Sequence, residues 1–287
     1  MEKQRLNVFR FFPKDNVRLS IGLLLILGLI AFWVIGGALT DSADANPISG
    51  PPSAAPSMKY WLGTDAQGRQ MFPLMVAGVP ITLRIGLIAG GLGVLTGTIL
   101  GFTAGYFRGW VDTVIRSASD VVLTIPALAV LVVVASTLSS GGLSANSMAL
   151  IVALLSWMWP TRTIRAQVLS MRERSFVDMA RLSGMGNYEI IVRELLPNLL
   201  PYLVASFVAA VAAAILAAIG LEALGLGPQN DPTLGMTIFW SMYYGAVLSG
   251  WWWWYAPPIV VLVWIFVALY MTSSGLDTWA NPKLRRT

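Results

Sequence analysis

Long uncharged apolar stretches alternate with short polar and charged segments along this sequence. A helix that crosses a hydrocarbon layer of about 30 Å needs roughly 20 consecutive, mostly apolar residues, and here loops rich in charge, glycine or proline separate runs of that kind. The pattern predicts an all-α, polytopic membrane protein with six transmembrane helices. The predicted spans are residues 19–39, 85–106, 121–138, 147–159, 199–221 and 256–275.

The first and fourth of these spans are the least regular. Residues 19–39 have the position of a signal peptide, but their uncharged stretch is longer than a signal h-region and no small-residue cleavage motif follows at once, so a retained helix is predicted. Residues 147–159 are short for a span. The serine- and glycine-rich turn at 140–146 leaves the start of this span open by a few residues.

The composition agrees with a membrane protein and excludes several kinds of catalyst. Of 287 residues, 56% are hydrophobic and only 11% are charged, whereas soluble domains carry about 25% charged residues. The absence of cysteine and histidine excludes disulfides, thiol nucleophiles, the usual zinc sites and imidazole proton relays. None of the four lysines follows a glycine, so the chain has no phosphate-binding P-loop. We expect no catalytic residue, and no metal or cofactor bound by this chain.

The basic residues are concentrated on one predicted side of the membrane. Sixteen of the nineteen lysines and arginines fall in the N-terminal segment 1–18, the loops after the second and fourth spans, and the tail 277–287. Cytoplasmic loops carry such an excess, so both termini are predicted to be cytoplasmic, in a multi-pass protein of the cell membrane. The other face includes the extracytoplasmic loop 40–77. The net charge of +5 therefore reflects membrane orientation, and no nucleic-acid partner is predicted.

Small residues recur at four-residue intervals in the second and fifth spans. In the second span they form a strip along which another helix packs closely. In the fifth span they suit either helix packing or the wall of a path of variable width. The residues are Gly93, Gly97, Gly101 and Gly105 in the second span, and Ala209 and Ala213 in the fifth.

Almost no ionisable side chain falls inside the predicted spans. Arg84 and Glu222 lie near span ends, where long side chains reach the interface. Ion-coupled transporters usually need acidic or histidine groups at membrane depth, so any transport by this chain is expected to draw its energy from a cytoplasmic partner. Glu222 and Asp231, in the outer loop after the fifth span, either meet a partner's basic surface or are solvated.

The charged loop between the fourth and fifth spans has helical periodicity. Apolar residues of 176–183 recur on one face and charged residues on the other. Gly184 and Gly186 then break the helix, and a second helical run leads to Pro197. Such a loop presents a compact surface to a soluble partner. A solvated loop helix stabilised by its own ion pairs is the alternative that periodicity leaves open.

Residues 176–198, FVDMARLSGMGNYEIIVRELLPN, resemble the EAA loop of bacterial and archaeal ABC importer permeases. The pattern of that loop is Glu-Ala-Ala, three residues, Gly, nine residues, Ile, one residue, Leu-Pro. On the helix, Asp178 is expected to hold the loop by pairing with Arg174 or Arg181. The matching positions are Asp178, Met179, Ala180, Gly184, Leu196 and Pro197, with Glu194 in place of the isoleucine.

Other segments resemble the dipeptide and oligopeptide branch of these permeases, in the subunit usually called the C-type permease. Gln70 replaces the aspartate that usually ends the first of them. The resemblance extends from about residue 61 to the end of the chain. The segments are WLGTDAQGRQ at 61–70, ITLRIGL at 81–87, TAGYFRGWVDTVIRSASDVVLTIPAL at 103–128 and GLDTWANPKLRR at 275–286.

The resemblance implies a type I ABC importer permease fold, with a permease core at 78–276 that contains a coupling loop at 161–197. It implies half of a translocation path in a heterodimer with a homologous permease, two ATPase subunits that hold ATP and magnesium, and an extracytoplasmic solute-binding protein. The predicted cargo is di- or oligopeptides, and oligosaccharides are the alternative. A non-transporting membrane scaffold that recruits a soluble partner is the alternative from another class.

A run of aromatic residues at 251–254 precedes the sixth span, and further aromatic residues lie shortly before it. Tryptophan and tyrosine prefer the membrane interface, so one prediction is an aromatic belt. The other prediction places Trp240 and Trp251 in an outer vestibule, where their rings stack on a sugar or on an apolar peptide side chain.

Overall fold

The computed structural model of the protein describes residues 16–138 and 142–280. Most of the predicted N-terminal segment, part of the turn at 140–146 and most of the tail lie outside the described residues. The elements are α1 (Val17–Leu39), a 3₁₀ turn (Ser42–Ala45), α2 (Met71–Phe107), α3 (Gly109–Thr124), α4 (Ala127–Leu138), α5 (Ala145–Ser156), α6 (Met158–Arg172), α7 (Ser175–Leu182), α8 (Asn187–Glu189), a π-helical stretch (Ile190–Leu195), α9 (Leu196–Glu222), α10 (Leu234–Tyr243) and α11 (Trp252–Ala280).

Four helical runs in the described part of the chain are long and apolar enough to cross a membrane. They are α1, α2, the continuous run Asn187–Glu222 and most of α11. The pair α3 and α4 gives a fifth span if the two are counted together, and α5 is a shorter apolar helix. The predicted all-α, polytopic membrane architecture is therefore confirmed.

Several boundaries differ from the predicted spans, and three of them have a clear physical cause. Helix α2 begins at Met71. The predicted start at residue 85 is too late, because the exposed Arg84 interrupts the uncharged run without interrupting the helix. The predicted span 121–138 is divided, since α3 and α4 meet at 83° where Pro126 cannot continue a helix. The last span begins at Trp252, within the aromatic run.

The bundle has two ends, which we name by what they hold. The loop end holds α7, the start of α1 and the end of α11, where the side-chain amide of Asn16 donates to the carbonyl of Gly275 over 2.7 Å. The turn end holds residues 41–70 and 223–251. Helices α2, α9 and α11 connect the two ends.

Helix α2 is the central element of the bundle. At 37 residues it is about 55 Å long, since an α-helix rises 1.5 Å per residue, and it packs against α5, α6 and α9. Each of the three main apolar clusters contains part of it. From the turn end to the loop end, its buried members include Met71 and Leu74, then Ile85 and Ala89, and finally Phe102 and Tyr106.

The glycine strip of α2 is where the end of α5 and the whole of α6 approach most closely. A β-carbon added to Gly97 would lie 2.6 Å from the Cβ of Pro160, which is closer than side-chain atoms pack. The strip therefore allows backbone-to-backbone contact, as small residues do between membrane helices. At the other three positions Gly93 faces Ser156, Gly101 faces Thr161 and Gly105 faces Val168.

Substituting Gly97→Ala should lower the stability of the protein, because the new methyl group forces α2 and α6 apart. Overpacking of this kind costs about 1–3 kcal/mol, and we expect the thermal unfolding midpoint of the detergent-solubilised protein to fall by several degrees. Gly37→Ala is the matched control, since a β-carbon on that helical residue meets no atom within 4 Å. Equal midpoints for the two variants would contradict the close packing of α2 on α6.

Candidate functional site

The loop between α6 and α9 folds as a short helix, a glycine turn and a second helix. Helix α7 ends in a Schellman motif, in which the amides of Gly184 and Met185 donate to the carbonyls of Arg181 and Ala180 over 2.9 and 3.1 Å. Gly184 has a φ of +81°. Because a β-carbon disfavours that conformation, glycine is the residue that lets the chain reverse here.

Helix α7 divides its apolar residues between the core and the solvent. Val177 and Ala180 are 0% and 7% exposed and join the apolar cluster at the loop end. Met179 and Leu182 are 63% and 86% exposed. The helix is thus attached to the bundle by one face and presents apolar side chains on another, as interaction surfaces do.

The charged residues of α7 lie on its exposed surface. Of the two partners predicted for Asp178, Arg181 is the one in contact, with Nη1 3.4 Å from Oδ1. Both side chains are exposed, and exposed ion pairs add little stability. Leu196 is half-buried and Pro197 exposed where α9 begins.

A π-helical stretch, Ile190–Leu195, joins α8 to α9. This stretch was not predicted from the sequence, although Pro197 is a signal for it. A proline lacks the N–H that would bond to the carbonyl four residues earlier, and its ring crowds that carbonyl, so Pro197 disfavours regular α-helix at Arg193. Glu194, which replaces the isoleucine of the resembled pattern, lies within this stretch.

Helices α3 and α6 are held together by charge at the loop end. The Nη2 of Arg165 donates to Asp112 over 2.6 Å, and its Nε donates to the second carboxylate oxygen. These two hydrogen bonds to the Asp112 carboxylate raise the pKa of the Arg165 guanidinium. One turn before Arg165 on α6, the Nη1 of Arg162 lies 4.0 Å from Oδ1 of Asp120. The paired charges keep α3 against α6 although α4 bends away.

A cavity of about 440 Å³ lies among α4, α5, α6, α9 and α11. Small side chains of α9 form one wall, and Ala209 and Ala213 are exposed in it rather than covered by another helix of the described chain. The volume is in the range that holds small ligands. The opposite wall includes Leu131, Val152 and Trp159, and polar side chains at the loop end are Thr163, Tyr202, Ser273 and Asp277.

The segment WLGTDAQGRQ forms a compact turn that leads directly into α2. The buried carboxylate of Asp65 accepts from the amides of Gln67 and Arg69, both over 2.9 Å, and from Nε of Arg69 over 2.5 Å. Gly63 and Gly68 have φ values of +69° and +76°, which favour glycine. The motif therefore encodes a folded structure at the turn end.

The aromatic run 251–254 combines buried and exposed rings. Trp254 is fully buried and stacks on Trp251, with ring centroids 6.3 Å apart. The indole N–H of Trp253 donates to the carbonyl of Thr64 over 3.3 Å, which ties α11 to the WLGTDAQGRQ turn. Trp252 is exposed, as an interfacial residue would be.

Trp240 and Trp251 are each half-buried against the core at the turn end. Trp240 packs edge-on against Tyr243 and tilted against Tyr244, with centroids 5.6 and 6.0 Å apart. Part of each tryptophan ring therefore stays accessible. The stacking of these two rings on a cargo molecule stays a prediction.

The two outer acids are more enclosed than predicted. Glu222 is only 1% exposed, and its carboxylate lies where a β-carbon on Gly235 would sit, so the prediction of an interfacial or solvated Glu222 is wrong. The cause is that α10 folds back over the end of α9. Asp231 is half-buried and accepts the amide of Ala145 over 2.8 Å, which caps the start of α5.

The chain is similar in sequence to known proteins. The family of binding-protein-dependent transport system inner membrane components matches residues 97–286, which include most of the glycine strip, α7 and the helices around the cavity. The chain belongs to this family. It is accordingly a membrane permease component of an ABC transporter that works with a binding protein, and such permeases are not themselves enzymes.

Three relatives are similar over most of their length. The glutathione transport system permease protein GsiD of Pectobacterium atrosepticum is 31% identical over 96% of this chain and 90% of its own. The oligopeptide transport system permease protein OppC of Mycobacterium tuberculosis is 30% identical over 99% and 96%. The dipeptide transport system permease protein DppC of Alkalihalophilus pseudofirmus is 29% identical over 75% and 70%.

Substituting Asp65→Ala should unfold the WLGTDAQGRQ turn, because the substitution leaves the buried Arg69 guanidinium without its carboxylate partner. Loss of one partner of a buried ion pair costs about 3–5 kcal/mol. We expect faster proteolysis within residues 41–70, read by mass spectrometry, than in the control Asp41→Ala, which changes an exposed acid of the same segment. Wild-type resistance in Asp65→Ala would show that the ion pair does not hold the turn.

Proposed function

We propose that this chain forms half of the translocation path of an ATP-driven importer for di- or oligopeptides, in a heterodimer with a homologous permease. The observation that carries the proposal is α7, a helix anchored by Val177 and Ala180 that exposes Met179 and Leu182 at one end of the bundle. Membership in the permease family supports the same conclusion, as do relatives named for dipeptide, oligopeptide and glutathione transport.

The proposed assembly has its ATPase subunits at the loop end. Two such subunits hold ATP and magnesium, and this chain binds neither. Eight arginines fall between residues 108 and 193, in elements at the loop end, and cytoplasmic segments carry such an excess. Both termini are therefore proposed to be cytoplasmic. The solute-binding protein delivers cargo at the turn end.

In the proposed coupling, the exposed surface of α7 enters a groove of one ATPase subunit. Met179, Leu182 and the charges of Asp178 and Arg181 make the contact. Gly184 holds the reversal that follows, while Leu196 and Pro197 begin the helix that re-enters the membrane. Closure of the ATPase pair then moves α7 together with the apolar cluster at the loop end, because one face of α7 is buried in that cluster.

The proposed path runs along the cavity beside α9. Ala209 and Ala213 line it with methyl groups, and the hydroxyls of Thr163, Tyr202 and Ser273 are suited to hydrogen bonding with a peptide backbone. The oligosaccharide alternative draws on the accessible parts of Trp240 and Trp251. Competition of labelled peptide uptake by unlabelled peptides and by oligosaccharides distinguishes the two cargo classes.

Substituting Leu182→Ser should reduce ATP-dependent uptake and copurification of the ATPase subunits with a tagged chain. The side chain is exposed, so its loss removes partner contact while leaving the fold of the chain unchanged. For copurification, Leu39→Ser, at an exposed leucine near the other end of the bundle, is the matched control. A tagged wild-type chain that brings down no ATPase would instead support the scaffold alternative.

Substituting Ala213→Phe should bring uptake close to background by filling the cavity, while the ATPase subunits still copurify. Val204→Phe is the control, because Val204 is exposed on the same helix and does not line the cavity. Uptake is measured in vesicles with equal amounts of each variant. Wild-type uptake by Ala213→Phe would place the path elsewhere.

A further inference from the structure

Tyr106 joins the end of α2 to the segment that follows α7. It is the next-to-last residue of α2 and is only 4% exposed. Its hydroxyl donates to Oδ1 of Asn187 over 2.9 Å. Asn187 begins the continuous helical run that becomes α9, so this hydrogen bond connects two helices that traverse the bundle.

The same tyrosine also holds the segment that precedes α7. The guanidinium of Arg172, the last residue of α6, lies over the Tyr106 ring at 5.5 Å from its centroid, a cation–π distance. The Nη1 of Arg172 donates to the carbonyl of Tyr106, one of the last carbonyls of α2, which have no partner within the helix. Residues on both sides of α7 therefore contact this one residue.

We propose that Tyr106 is the positioning residue that transmits displacement of α7 to α2. This inference rests on the proposed contact between α7 and an ATPase subunit. Helix α7 lies between Arg172 and Asn187, so movement of α7 displaces both of these partners of Tyr106. The two partners hold different parts of Tyr106. Arg172 donates to its backbone carbonyl and so fixes the end of α2, and Asn187 accepts from its hydroxyl and so fixes its side chain.

Helix α2 carries that displacement to the turn end. Its first residue, Met71, is fully buried, and the Met71 amide donates to the carbonyl of Gly63 over 3.0 Å. Gly63 belongs to the turn that the Asp65 carboxylate holds together. Tyr106 and this turn are thus at opposite ends of one uninterrupted helix, on the two faces where the ATPase subunits and the binding protein are proposed to act.

The test separates coupling from folding by removing a single oxygen atom. Tyr106→Phe keeps the ring, its packing and the Arg172 contact, and loses only the hydrogen bond to Asn187. In the complete importer, reconstituted with its ATPase subunits and binding protein, we expect the amount of peptide imported per ATP hydrolysed to fall roughly fivefold, the effect of one neutral hydrogen bond on an equilibrium. The basal ATPase rate should stay at the wild-type value, and the thermal midpoint should fall by only about 2–4 °C, the shift that about 1 kcal/mol produces in a protein of this size.

Variants of the partner residue identify the bond. Asn187→Leu should lower the ratio of import to hydrolysis as Tyr106→Phe does, and the double variant should be no worse than either, since all three lack the same bond. Asn187→Asp keeps an acceptor and should retain the wild-type ratio. Tyr270→Phe, which removes an exposed hydroxyl from α11, is the matched control.

Three results would overturn the inference. A wild-type ratio in Tyr106→Phe would show that the hydroxyl transmits nothing, and additive losses in the double variant would show that the two residues act separately. Proportional loss of hydrolysis and import would indicate a role in assembly instead. A wild-type complex without ATP-dependent uptake contradicts the proposed function itself, and it is recognised before any variant is compared.

Discussion

The close approach of α2 to α6 is the constraint on which the rest of the structure depends. Lipid offers no hydrophobic force that drives one apolar helix onto another, so contact between membrane helices relies on van der Waals packing of small residues. The glycine strip supplies that contact from Gly93 to Gly105. Because α6 follows α2 closely, its last residue, Arg172, reaches the end of α2 at Tyr106, and the loop that carries α7 starts from a fixed point.

One short helix at the loop end, α7, combines a stabilising role with the proposed recognition of a partner. Val177 and Ala180 anchor α7 in an apolar cluster shared with α2, α6 and α9, so the helix is part of the bundle rather than an appendage. Its exposed face contributes little to that stability, since its charges form only an exposed ion pair. These two properties allow the surface to suit a partner while its position is set by the core.

Features that depend on local chemistry could be predicted from the sequence, and features that depend on distant contacts could not. The spacing of the glycines predicted a packing strip, and Gly184 predicted a reversal, because each follows from residues close together along the chain. The early start of α2 was missed because Arg84 ended the uncharged run. Burial of Glu222 requires α10 to fold back so that Gly235 meets the carboxylate, and the bond between Tyr106 and Asn187 joins residues 81 positions apart. No periodicity encodes such contacts.

The cavity beside α9 has a consequence for the evolution of cargo choice. Methyl groups differ little in their affinity for one apolar side chain or another, and strong discrimination needs polar groups that would be left unpaired by the wrong ligand. A wall of alanines offers few such groups. In the proposed path, a change of cargo would therefore require substitutions in the solute-binding protein and almost none in this chain. One permease sequence can then serve successive binding proteins that select different cargo.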